Sequence, residues 1–211
     1  MRLAIFDFDG TLADSVPWLL SILNDVADAH GFPQPTTEEV HLLRGLSPTQ
    51  VSRRFGIPMW RVPAVGADVR RRMAADIDRI PLFDGVPEML RALWDHNILL
   101  AIVSSNAEAN VRAVVGEELA ALIDAFECGV SWLGKAAKLR HVMSRCGVAA
   151  AHTLYVGDEI RDIEAARTAG VAAGAVTWGY NHTSALRKAD PTVIFYGVGD
   201  ILAYALHGTA K

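Results

Sequence analysis

Six short apolar runs recur along the chain, at residues 3–6, 98–103, 125–128, 153–156, 172–176 and 192–195, set off by Gly, Asp or Asn. Runs this short and this uniformly apolar suit strands buried on both faces. Most are separated by stretches with the 3.6-residue apolar spacing of amphipathic helices. Strand and helix in alternation produce a parallel sheet with helices on both sides, so the expected fold class is α/β, a doubly wound parallel sheet.

Residues 15–82 break that rhythm. They contain no convincing strand and read as helices at about 16–29, 37–44, 48–55 and 60–79, the first ended by Gly31 and Pro33. An all-helical insertion after the first strand is therefore expected, with 1–14 and 83–211 forming the α/β core. This segment holds eight arginines, seven acids and no lysine, a net charge of +1 that leaves −5 for the remainder. Its densest basic run, Arg70-Arg71-Arg72, reads as a solvated helix face, or as a positive field drawing an anion toward a cleft.

Composition removes several classes of function. With 211 residues, 51% of them hydrophobic, the chain can bury a substantial core. A net charge of −4 does not suit a general nucleic-acid binder. The longest apolar runs are strand-sized, too short to cross a bilayer, and the N-terminal run is broken by Asp7, unlike a signal peptide. Cys128 and Cys146 have no metal-like spacing and read as reduced structural thiols of a cytoplasmic protein.

The first apolar run leads into Asp7-Phe8-Asp9-Gly10-Thr11-Leu12-Ala13-Asp14-Ser15. Two acids at the end of a buried strand stand where open α/β sheets place their chemistry. On a straight strand Asp7 and Asp9 would share a face, and Gly10 would let the chain turn sharply after them. Like charges that close repel unless a cation lies between them, and hard oxygen ligands of this type suit Mg²⁺.

Three later stretches fall at comparable places. Ser104-Ser105-Asn106 follows the second run and offers hydroxyl and N–H donors for an anionic oxygen, or simply caps a helix. Two of the four lysines occur in Gly134-Lys135-Ala136-Ala137-Lys138, at the expected start of a helix. A lysine there gains nothing from the helix dipole, so a nearby anion explains it better. The stretch from Tyr155 to Gly170 again runs strand, acidic turn and helix, with Asp158 and Asp162 one turn apart.

Together these stretches resemble the four motifs of the haloacid dehalogenase-like hydrolases: DxDGTLxDS at Asp7, a Ser at the end of the second strand, a lysine at a helix start, and GDxxxDIxAAxxAG from Gly157. The resemblance spans essentially the whole chain. It is nearest to the phosphoglycolate-phosphatase-like and β-phosphoglucomutase-like branch, whose Rossmann-like core carries a helical cap after the first motif. Ala136 stands where a Pro often follows the motif lysine.

The resemblance implies a phosphatase for a small phosphorylated metabolite, with Asp7 as nucleophile, Asp9 as acid and base, and Ser104 and Lys135 holding phosphoryl oxygens. Mg²⁺ would be held by Asp7, the carbonyl of Asp9 and Asp158, with Asp162 and Glu159 behind them. Substrate contacts would come from Gly10, Ser105, Asn106 and the cap pair Arg44 and Gly45, and the chain would act as a monomer or homodimer. His41, Trp18 and Trp60 either line the cleft or pack the cap. Asp9 argues against a dehalogenase, and Pro48, where the mutases have an arginine, argues against a mutase. A phosphomutase and a non-catalytic phospho-ligand binder are the alternatives.

Overall fold

The computed structural model describes residues 1–129 and 134–208, Pro48 by its backbone alone. Six parallel strands form one sheet in the order β3-β2-β1-β4-β5-β6. They are β1 (Leu3–Phe6), β2 (Leu99–Val103), β3 (Ala125–Glu127), β4 (Thr153–Gly157), β5 (Ala172–Val176) and β6 (Val193–Phe195). Each matches an expected run to within a residue or two.

Strand β1 is central, and its four residues have no exposed surface. Phe6 is in register with Ile102 of β2 on one side and Val156 of β4 on the other. Side chains alternate between the faces of the sheet. Ala4 and Phe6 join Leu90, Val111 and Ile201 in one apolar cluster. Leu3 and Ile5 join Leu139, Val142 and Ile163 in the other. The first face is covered by α5 (Val86–Asp95), α6 (Glu108–Ala120) and α10 (Val198–His207), the second by α7 (Lys135–Cys146), α8 (Ile160–Ala169) and α9 (Thr183–Lys188). Burial on both faces is why these runs show no polar alternation.

The chain leaves β1 toward one edge of the sheet through β2 and returns to the other edge through β4. The crevice between those directions, at the carboxyl ends of the strands, is where this topology leaves room for a ligand. Asp7, Ser104 and Asp158 are each the residue directly after the last residue of the three adjacent strands β1, β2 and β4.

Between β1 and α5 lies the helical insertion: α1 (Val16–His30), α2 (Thr37–Leu43), α3 (Pro48–Arg54) and α4 (Val62–Ala75). Gly31, at φ 66°, ends α1 in the left-handed conformation. A capping box of Thr36 and Glu39 opens α2. The expected helix at 60–79 is in fact two pieces, α4 and a 3₁₀ turn at Ile77–Arg79. The break falls at Asp76, whose carboxylate accepts from Trp18 Nε1 at 2.9 Å and Arg79 Nη1 at 3.3 Å. Within the insertion α4 packs on α1, fastened by buried Asp68, which is contacted by His30, Arg71 and Arg72.

Candidate active site

The peptide after β1 stays in the sheet for one more residue, since Asp7 N donates to Val156 O at 2.8 Å. The chain then coils: the N–H groups of Thr11, Leu12 and Ala13 all donate to Phe8 O. Gly10 sits in that coil at φ 72°, and a Cβ there would come 2.3 Å from Asp158 Oδ2. Asp7 and Asp9 therefore do not share a face of an extended strand, as their spacing alone suggested. The chain turns between them, sending Asp7 down to the acids that follow β4 and Asp9 up toward the insertion.

Asp7, Asp158 and Asp162 form a buried carboxylate cluster with ligand oxygens within 4.8 Å of one another. Asp7 accepts from Phe8 N through Oδ1 at 2.8 Å and from Lys135 Nζ through Oδ2 at 2.7 Å. Lys135, the first residue of α7, also donates to Asp162 Oδ1 at 2.6 Å, and is itself 5% exposed. Asp162 further accepts from Tyr155 Oη at 3.1 Å and Glu159 N at 3.0 Å. Asp158 is held through Oδ1 by Thr11 Oγ1 at 2.8 Å and through Oδ2 by Tyr180 N at 2.7 Å.

The electrostatics of these groups diverge. Burial drives the Asp158 carboxyl well above the usual range, and the charges of Glu159, Asp162 and Asp7 push the same way. Asp7 is raised by burial more than Lys135 lowers it. Burial also raises Asp162, but Lys135 and Arg161 outweigh it and hold this carboxyl below the ordinary value. Burial opposes the Lys135 charge, yet Asp162 and Asp7 together keep its ammonium form favoured. The cluster sets three carboxylates against one lysine, in hard oxygen donors, and that composition fits a divalent cation.

Asp9 lies on the other side of the turn, partly exposed. Asn106 Nδ2 donates to both its carboxylate oxygens, at 3.3 and 3.1 Å. Burial and the charge of Asp7 raise its carboxyl to about 6, against hydrogen bonds from Ser15 and Asn106. Such a group exchanges a proton readily near neutral pH.

The second motif is arranged differently from a helix cap. The N-cap of α6 is Ala107, and Ser104 to Asn106 form the turn before it. Ser104 is fully buried, its Oγ accepting from Asn106 N at 3.0 Å. Ser105 offers its carbonyl to Arg70 Nη1 at 3.3 Å. Arg70 therefore reaches the turn, while Arg71 and Arg72 are committed to Asp68.

The chain matches the haloacid dehalogenase-like hydrolases over residues 4–176. It belongs to that family. It is 35% identical over 203 residues to a phosphoglycolate phosphatase of Synechococcus elongatus, covering 96% of each chain. It is 26% identical to an N-acetylmuramic acid 6-phosphate phosphatase of Pseudomonas aeruginosa, covering 86% of this chain and 84% of that one. Among solved structures, a predicted phosphatase from Clostridium acetobutylicum superimposes with a TM-score of 0.81 at 19% identity, over 97% of this chain and 98% of that one. Within the family the chain takes its place in the phosphoglycolate-phosphatase-like branch.

In this family member the structure brings together Asp7, Gly10, Lys135, Asp158 and Asp162 as one group, and Asp9, Ser105 and Asn106 as its neighbour. Glu159 does not turn to the lysine. It is the N-cap residue of α8, and its carboxylate pairs with Arg161. Arg44 and Gly45 lie apart from the acids. Arg44 donates from Nε to Tyr180 O at 2.8 Å and from Nη2 to Gly179 O at 2.9 Å, so its guanidinium joins the insertion to the loop after β5. Of the aromatic candidates, Trp18 is buried, Trp60 is 79% exposed, and His41 packs on His182 with ring centroids 4.4 Å apart.

Sequence reasoning missed the roles of Thr11 and Tyr155, left Arg70 open between a solvated face and the cleft, and gave the turn 178–181 no part in the site. A Cβ on Gly179 would lie 2.2 Å from Asp158 Cβ and 2.4 Å from Gly10 O, so the loop can approach the acids this closely only with glycine there. Its sequence signal, a glycine between Trp178 and Tyr180 directly after an apolar run, was visible without showing what the glycine faces.

Proposed function

We propose that this hydrolase is a Mg²⁺-dependent phosphatase of the cytoplasm that cleaves a small phosphomonoester through an aspartyl-phosphate on Asp7. The branch to which the chain belongs makes it a phosphoric monoester hydrolase. The observation that carries the mechanism is the 2.7 Å contact between Asp7 Oδ2 and Lys135 Nζ, next to an Asp9 held separately by Asn106.

The free lone pairs of Asp7 attack phosphorus, and a P–O bond forms as the bond to the leaving oxygen breaks. Asp9 in its acid form gives its proton to that oxygen. Its carboxylate then takes a proton from water, whose oxygen attacks phosphorus and frees Asp7 and inorganic phosphate. Lys135 favours the ionised form of Asp7 against its burial, and its ammonium, with the donors of the 104–106 turn, stabilises charge on the phosphoryl oxygens. Asp7, Asp158 and, behind them, Asp162 would hold the cation, together with the carbonyl of Asp9. Bound there, Mg²⁺ offsets the repulsion between carboxylate and phosphate.

Phosphate release from a panel of phosphomonoesters, measured with Mg²⁺, with chelator and in Asp7→Asn, tests the proposal. Release that needs both metal and Asp7 supports it. Release unchanged in Asp7→Asn overturns it, and transfer of phosphate between positions of the substrate without release favours a phosphomutase.

A further inference from the structure

Above Asp9 a cavity of about 320 Å³ runs into the helical insertion between α1, α3 and α4. One end is closed by Asp9, Ser105 and Asn106, with Arg70, Glu159, Arg161 and Tyr180 also on its wall. The depth of the cavity is apolar, lined by residues that include Trp18, Leu23, Val26, Ile57, Val65 and Met73.

The polar groups along that depth are already satisfied by the protein. Ser52 Oγ donates to Ile57 O at 2.6 Å, and Trp18 Nε1 is turned away to Asp76 at 2.9 Å. Ser15 bonds to Asp9. Hydroxyl or carboxylate groups placed there would lose water and gain no partner, which is costly. An apolar group loses nothing and gains the burial. An empty apolar space of this size also weakens the helices around it, so an occupant stabilises the insertion.

Since Asp9 closes one end, the occupant is the group whose oxygen Asp9 protonates. We infer that the substrate is a phosphomonoester with an apolar leaving group, alkyl or aryl, of roughly eight to twelve carbon atoms, given that a void of about 150 Å³ takes a benzene ring. This rests on the proposed phosphatase mechanism and specifies its substrate. A two-carbon glycolate would leave most of the space empty.

The test uses the whole chain with Mg²⁺ and two matched series, n-alkyl phosphates and inert n-alkylphosphonates, from one to ten carbons, with phosphoglycolate alongside. Each buried methylene should raise kcat/KM, and phosphonate affinity by calorimetry, about fourfold until the cavity fills. The heat-capacity change of binding should grow more negative in step. Val65→Phe should remove the gain for long chains in both series, and an unaltered far-UV circular dichroism spectrum shows that the variant is folded. Flat series, or phosphoglycolate turned over at least tenfold better than every long-chain ester, overturn the inference and leave the phosphatase standing. Affinity that climbs with chain length while no phosphate is released overturns the phosphatase, and with it the claim that the apolar group is a leaving group.

Discussion

The amide of Asn106 donates to both oxygens of the Asp9 carboxylate, at 3.3 and 3.1 Å, and is itself fixed: Ala107 N and Asn110 Nδ2 both donate to its Oδ1. Asn106 thereby sets where the proton of Asp9 points. Asn106→Ala should lower kcat for alkyl phosphates about 10- to 100-fold with KM little changed, since a misplaced acid loses much of its contribution. Aryl phosphates whose leaving group needs no proton should be nearly unaffected. An equal fall for both classes would assign Asn106 a general structural role.

Lys135 is the cation between two buried acids, Asp7 and Asp162. Replacing it with Met takes from two buried carboxylates the ammonium that both of them bond to. Lys135→Met should therefore destabilise the fold by about 3 kcal/mol, read from denaturant midpoints. Adding Asp162→Asn should restore part of that loss. A single variant as stable as the parent would show that the acids are neutral in the native protein.

At Gly179 the smallest possible side chain already collides, at 2.2 Å from Asp158 Cβ and 2.4 Å from Gly10 O. Gly179→Ala should displace Asp158 and raise the Mg²⁺ concentration for half-maximal phosphate release at least about tenfold. The thermal midpoint should also fall. An unchanged Mg²⁺ requirement would remove Asp158 from the set of groups that hold the cation.

Arg44 joins α2 to the loop after β5 with two bonds to carbonyls, and its own carbonyl accepts from His182 N at 2.9 Å and Asn181 Nδ2 at 2.8 Å. Arg44→Ala should cost about 1–2 kcal/mol, because two carbonyls lose charged donors. Amide exchange at residues 180–182 should quicken while the strands stay protected. Unaltered exchange there would mean that the loop is held from the core side alone.

What could be read from the sequence was whatever announces itself locally. The strands did so because runs such as 3–6 are apolar throughout and end in acids or glycine. Asp7, Lys135 and Asp158 did so because a charge directly after a buried strand, or at the wrong end of a helix, lacks a local reason. Contacts between distant segments were silent. Thr11 and Asp158 meet across 147 residues, and the partners of Arg44 are two carbonyls, which no side-chain pattern encodes. The break at Asp76 was hidden for a similar reason, since neither Gly nor Pro marks it and the residue that bonds to it, Trp18, lies 58 positions earlier.

Tyr180 uses both of its backbone groups on opposite neighbours: its N–H holds Asp158 Oδ2 at 2.7 Å, and its C=O accepts from Arg44 Nε at 2.8 Å. One residue thus serves as a mechanical link between a buried carboxylate of the acid cluster and the helices above it. If the insertion swings away, it releases the carbonyl and slackens the residue that steadies Asp158. Whatever steadies Asp158 must, by reciprocity, favour the arrangement in which Arg44 holds that carbonyl. Any displacement of the insertion would then be felt at the acid cluster, and any displacement of Asp158 at the insertion, through the backbone of this one residue.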